Sequence, residues 1–150
     1  MKLSREEFCI KFDLSEEQFF GRELVNKLFL DLQAVEYFPE GCSLECSNHI
    51  WLDSLKELPE GCSLKGVYIN LRSLRVLPEK YLIDARNVSC RIILPSFKDS
   101  PEFYFGYTSE KRSFEKYSYI KENPLKYLRS TNPLRVALVE YFLKNQRENL

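Results

Sequence analysis

An α+β fold is predicted: a solenoid of short stacked coils whose strands form a parallel sheet, with helices closing both ends. Three observations predict it. A turn segment recurs every 19–20 residues, the aliphatic residues between recurrences keep one register, and helix-start signals mark the two flanks.

The recurring segment is Phe38-Pro39-Glu40-Gly41-Cys42-Ser43-Leu44, matched at six of seven positions by Leu58-Pro59-Glu60-Gly61-Cys62-Ser63-Leu64. Leu77-Pro78-Glu79 follows 19 residues later. Ile50, Leu52, Leu55 and Leu58 precede Pro59, and Ile69, Leu71, Leu74 and Leu77 precede Pro78. Leu30, Leu32, Val35 and Phe38 hold the same places one unit earlier. Val88, Cys90 and Ile93 hold them one unit later, before Ser96 breaks the pattern. Three good units and a decaying fourth result, over residues 28–97.

Apolar residues two apart lie on one face of a short strand. The following steps of three suit a chain that turns while still dropping side chains into a common interior. Pro-Glu-Gly then supplies a tight turn, because Pro presets φ and Gly tolerates positive φ. A lone coil cannot bury its apolar edge, whereas stacked coils can, which explains a run of units.

This pattern resembles the bacterial type of leucine-rich repeat, with Leu-Pro-Glu-like turns after an L-x-L strand. The resemblance covers the middle half of the chain. It departs at Asp53-Ser54-Leu55 and Arg72-Ser73-Leu74, where the family places an asparagine. A β-helix-like coil of the same period therefore stays open. The resemblance implies an effector-like protein acting on a host protein, in the cytoplasm or delivered to a host cytosol without a cleavable signal peptide.

In the N-terminal flank (1–27), Ser4 with Glu7 and Ser15 with Gln18 have capping-box spacing. Phe20, Leu24, Val25 and Leu28 predict a helix across Ser15–Lys27; a helix running on to Val35 is the rival. In the C-terminal flank (98–150), Phe103, Phe105 and Tyr107 alternate as a last strand. Asn123-Pro124 and Asn132-Pro133 are both helix starts. The second opens a helix over 133–146 with Leu134, Leu138, Tyr141 and Phe142 on one face, packed across the last coil or against Tyr117 and Tyr119. No Gly- or Ser-rich linker interrupts the chain, so one domain over 1–150 is expected.

With 150 residues, 44% of them hydrophobic, the chain is long enough to bury about two-thirds of its unfolded surface. Lys plus Arg balance Asp plus Glu at 22 each. That argues against nucleic acid and against anionic lipid as partners. No membrane span or apolar leader is expected. Five cysteines read as reduced thiols.

Residues between the inward positions of each strand point to solvent. Three ladders follow: Phe29, His49, Tyr68 and Asn87; Asp31, Trp51, Asn70 and Ser89; Gln33, Asp53, Arg72 and Arg91. Aromatics beside Arg match the composition of protein–protein hot spots. Phe29, Asp31, His49, Trp51, Asp53, Tyr68, Asn70, Arg72 and Arg91 are therefore the candidate binding residues. The competing reading has the C-terminal aromatics folding over this face.

Cys42, Cys46, His49 and Cys62 invite a zinc site. Cys42 and Cys62, however, hold equivalent turn positions one coil apart, and His49 belongs to a strand. No cofactor or metal is expected. One His, no Gly-x-Ser-x-Gly elbow and no phosphate-cradling glycine loop leave no catalytic constellation. Some bacterial leucine-rich-repeat effectors carry a separate ubiquitin-ligase domain with a catalytic Cys. Here the last Cys is Cys90, at a core position, so that activity is not expected. The expected function is a monomeric, non-enzymatic module binding a protein partner. The alternatives are a small enzyme or enzyme subunit with its site in the C-terminal aromatic region, and a structural domain that oligomerises through an open coil edge.

Overall fold

The structure, a computed structural model, describes residues 2–95, 101–108 and 110–148. It is α+β and falls into two compact units. The first holds the residues up to Arg91 together with Gly106–Glu110; the second holds Ile92–Phe105 and the chain from Lys111 onward.

The first unit winds in about three stacked coils. Strands β1 (Phe29–Asp31), β3 (His49–Trp51), β5 (Tyr68–Leu71) and β7 (Asn87–Pro95) pair in parallel. The register runs Leu30 to Ile50 to Ile69 to Val88, matching the sequence spacing. A second parallel sheet is formed by β2 (Leu44–Glu45), β4 (Cys62–Lys65) and β6 (Tyr81–Asp84). A third column consists of the parallel bridges Tyr37 to Glu57 to Val76. Each coil therefore pairs with the next at three places around its circumference, a solenoid-like stack.

Repeated turns separate these columns. The amides of Val35, Leu55 and Leu74 donate to the carbonyls of Leu32, Leu52 and Leu71 at 3.0, 3.2 and 3.3 Å. Cys42 and Cys62 donate to Pro39 and Pro59 at 3.3 and 3.1 Å, with Gly41 and Gly61 at φ +84° and +76°. A positive φ at the third residue of such a turn is what a type II turn demands, and it selects glycine. Inward side chains stack in ladders: Leu32, Leu52 and Leu71 are fully buried, as are Leu55 and Leu74.

Helix α1 (Arg5–Phe12) opens with the Ser4–Glu7 capping box, and α2 (Glu16–Phe19) with the Ser15–Gln18 box. The helix expected across Ser15–Lys27 ends at Phe19. Val25 is instead fully buried and bridged to Cys46, its N–H donating to the Glu45 carbonyl at 2.7 Å. The coil's pairing outcompetes the helical stripe, so Leu24 and Leu28 are left exposed. Phe8 packs edge-on against Phe19 and Phe38, at 5.7 and 5.9 Å between ring centroids.

The fourth unit decays for a local reason. Where the earlier units turn at Gln33-Ala34, Asp53-Ser54 and Arg72-Ser73, the chain has Arg91-Ile92-Ile93-Leu94, and β7 runs straight through to Pro95. An aliphatic, β-branched run favours extension over a turn. The expected break at Ser96 lies outside the described residues.

Strand β8 (Glu102–Thr108) belongs to the second unit up to Phe105, and there Glu102 and Phe103 pair antiparallel with β9 (Arg112–Ser113). Helix α3 (Ser118–Glu122) and helix α4 (Pro133–Glu148) follow. Asn132 caps α4, its Oδ1 accepting from the Leu134 N–H at 3.0 Å. Asn123-Pro124 opens only a 3-10 turn, Pro124–Tyr127, without a side-chain cap. Ile93, Phe103, Ile120, Leu138, Val139 and Phe142 form the buried core. Phe114 stacks on both Phe103 and Tyr141, at 4.7 and 5.1 Å. Among the described residues no helix is long and apolar enough to cross a membrane.

Candidate functional site

The outer face of the β1–β3–β5–β7 strands carries the first two ladders in the expected register, while Gln33, Asp53 and Arg72 of the third lie in the turns that follow β1, β3 and β5. Phe29 faces His49, His49 faces Tyr68, and Tyr68 faces Asn87. Asp31, Trp51, Asn70 and Ser89 form the next row. The strand spacing of about 4.8 Å brings side chains of one row into contact, so the rings cluster. Phe29 lies 4.9 Å from Trp51, His49 lies edge-on to Trp51 at 5.3 Å, and Tyr68 is 5.5 Å from His49. The His49 Nε2 is 3.3 Å from the Asn70 Oδ1, a contact that holds the imidazole against its neighbour.

This cluster remains on the surface. Phe29 is 54% and Tyr68 40% exposed, while His49, Trp51 and Asn70 are half-buried. Ser89, at the far end of its row, is buried. In the third row Asp53 pairs with Arg72, Oδ1 to Nε 3.8 Å, and the Arg72 guanidinium lies 4.7 Å from the Tyr107 ring centroid. That Asp53 oxygen is buried without a hydrogen-bond partner. Gln33 and Arg91 are exposed. Tyr107 is the residue the repeat register missed. It lies outside the coils, and its place over Arg72 has no signal in the spacing.

The zinc candidates are not gathered. Cys42, Cys46 and Cys62 are buried thiols, and the Cys46 Sγ is directed at the Lys27 carbonyl, 3.3 Å away, while the His49 ring engages Asn70. Among the described residues no group of three His, Cys, Asp or Glu side chains could hold a metal ion. Burial pushes the Cys42 and Cys62 thiols up, Cys62 to about 12, and the neighbouring Cys62 adds to the effect on Cys42. Both are kept as neutral thiols.

No protein-family model, no curated protein and no solved structure matches this chain. The site is therefore read from its own chemistry.

A groove lies along the third pairing column, away from the aromatic cluster. This groove of about 580 Å³ is lined by Tyr37, Glu57, Glu60 and Val76, with Lys2 at one side. The nearby Lys56 ammonium is 3.1 Å from the Glu36 carboxylate; their hydrogen bond holds the Glu36 carboxyl below its ordinary value and Lys56 above its own. Glu60 is occupied with backbone, accepting from the amides of Glu79 and Lys80.

Proposed function

We propose that this chain is a protein-interaction module that docks its partner on the exposed strand face of the coils. The observation that carries this reading is the cluster of Phe29, His49, Trp51 and Tyr68 standing on a sheet whose opposite side is already satisfied by the core. A monomer has no folding reason to expose large rings in a contiguous patch, whereas interface hot spots are enriched in such residues. Asp53, Arg72 and Arg91 add a polar margin that orients a partner. In this reading the coils are a short array of the leucine-rich-repeat type, with α1 and α2 closing its start. The module is non-enzymatic and monomeric, acting in the cytoplasm or in a host cytosol, and it has no use for nucleic acid.

The test is partner capture by wild type against the Trp51→Ala, Tyr68→Ala, Arg72→Ala triple variant, with circular dichroism confirming the fold. Loss of capture with the fold intact supports the reading. Equal capture by both proteins overturns it.

A further inference from the structure

Resting on the docking reading above, we infer that β1 is an open sheet edge that takes up an extended, basic segment of the partner as an added strand. Hydrogen-bond parity sets up this edge. The Leu28 carbonyl accepts from the His49 N–H at 3.1 Å, and the Leu32 N–H donates to the Trp51 carbonyl at 2.9 Å. In a parallel pair the residues that bond the neighbour alternate, so residues 28, 30 and 32 face β3. The N–H and C=O of Phe29 and Asp31 consequently point away from it. The sheet order ends at β1, and no strand among the described residues pairs with its outer side. Helix α2 packs at β2 instead, where the Phe19 carbonyl accepts from the Ser43 N–H at 2.8 Å.

The side chains along this edge specify the occupant. Leu28 is 67% and Phe29 54% exposed, an apolar pair at an unpaired strand, where proteins usually place charges or proline. Asp31 is exposed; its Oδ1 accepts from the Gln33 N–H at 3.1 Å, and no cation among the described residues pairs with its carboxylate. A strand laid beside β1 puts one side chain opposite Phe29 and one opposite Asp31 on the aromatic face, and the residue between them on the core side near Leu28 and Leu30. The complementary segment alternates aliphatic residues with Lys or Arg. Its cations meet the Asp31 carboxylate and the Phe29 and Trp51 rings.

A second copy of the chain fits less well. Two-fold pairing sets Asp31 against Phe29, against itself, or against Lys27. The Lys27 N–H already donates to the Val25 carbonyl at 3.0 Å, and its C=O accepts from the Ser47 hydroxyl at 3.0 Å.

The probe is a short capped peptide alternating Val and Lys, titrated into the full chain. Trp51 fluorescence reports binding, and amide hydrogen exchange reports the edge. Binding is expected to slow exchange of the Phe29 and Asp31 amides by about tenfold or more. A Val–Glu peptide is expected to bind about tenfold more weakly, with Asp31→Lys reversing the preference. A Val–Lys peptide N-methylated at alternate residues, unable to pair, is expected not to bind. Unchanged exchange at Phe29 and Asp31, equal binding of the methylated peptide, or peptide-independent protection that grows with protein concentration would each overturn the proposal, the last by naming a second copy as the occupant. If the peptide perturbs Trp51 and Tyr68 while leaving the β1 amides untouched, the edge proposal fails and the face reading stands. Protection of β1 together with undiminished partner capture by the triple variant is the reverse case.

Discussion

Glu60 does work that the repeat's own sequence no longer does. Pro39 and Pro59 head turns closed by glycine, but Pro78-Glu79-Lys80 has none, and the Glu60 carboxylate reaches from the coil before to accept from the amides of Glu79 and Lys80 at 3.1 and 2.9 Å. Charge-assisted bonds to backbone are among the stronger kind, discounted here because Glu60 is exposed. Glu60→Ala is expected to lower the unfolding free energy by ~1 kcal/mol in urea titration, and Glu40→Ala by little. Cys62 makes a pH prediction. The folded chain holds its proton up to about 12 against an ordinary 9.0, so above that ordinary value the unfolded chain releases a proton that the fold retains. Stability contributed here is complete at neutral pH and falls as pH rises toward 12. The melting temperature should drop through this alkaline window, and Cys62→Ala should flatten the drop. In the folded protein a thiol reagent should label Cys9, the one partly accessible cysteine, well before the four buried ones.

Elements in this chain succeed or fail by their ends. Two Asn-Pro pairs look alike in sequence, yet only Asn132 turns its side chain to a free amide, at Leu134, and only it starts a long helix. Asn132→Ala should therefore cost ~1 kcal/mol in thermal unfolding, and Asn123→Ala distinctly less. The capping boxes at Ser4 and Ser15 formed as spaced, but the second supports a single turn, because Val25 gains a buried place and a ladder bond in the coil. The second strand of each coil, at Leu44–Glu45, Cys62–Lys65 and Tyr81–Asp84, was hidden in sequence behind the Pro-Glu-Gly turn. Its alternation is short, and Cys and Ser carry little strand signal. The buried Cys42, Leu44, Cys62 and Leu64 were its only trace.

Each of the two units has its own buried core, so substitutions should report locally. Ile69 is fully buried in the coils and Leu138 fully buried in the helical core. Ile69→Ala and Leu138→Ala should each cost about 2–5 kcal/mol. Amide exchange should accelerate in β3, β5 and β7 for the first and in α3 and α4 for the second. Uniform acceleration along the whole chain for either variant would show a single cooperative block instead.

The coil period, the inward ladders from Leu30 to Val88, the outward places of Phe29, His49, Trp51 and Tyr68 and the start of α4 were legible in the order of residues, whereas Ser89, placed outward by the same alternation, is buried. Each is set by near-neighbour rules: side-chain alternation along a strand, glycine at a positive φ, and proline after a capping asparagine. Which rings stay on the surface, where the edge of β1 lies open, and that Arg72 meets the Tyr107 ring were decided only by folding in three dimensions. Those features depend on which distant segments meet. The burial of Val25 beside Cys46 outweighs the helical preference of its own neighbourhood, and no local pattern records that competition.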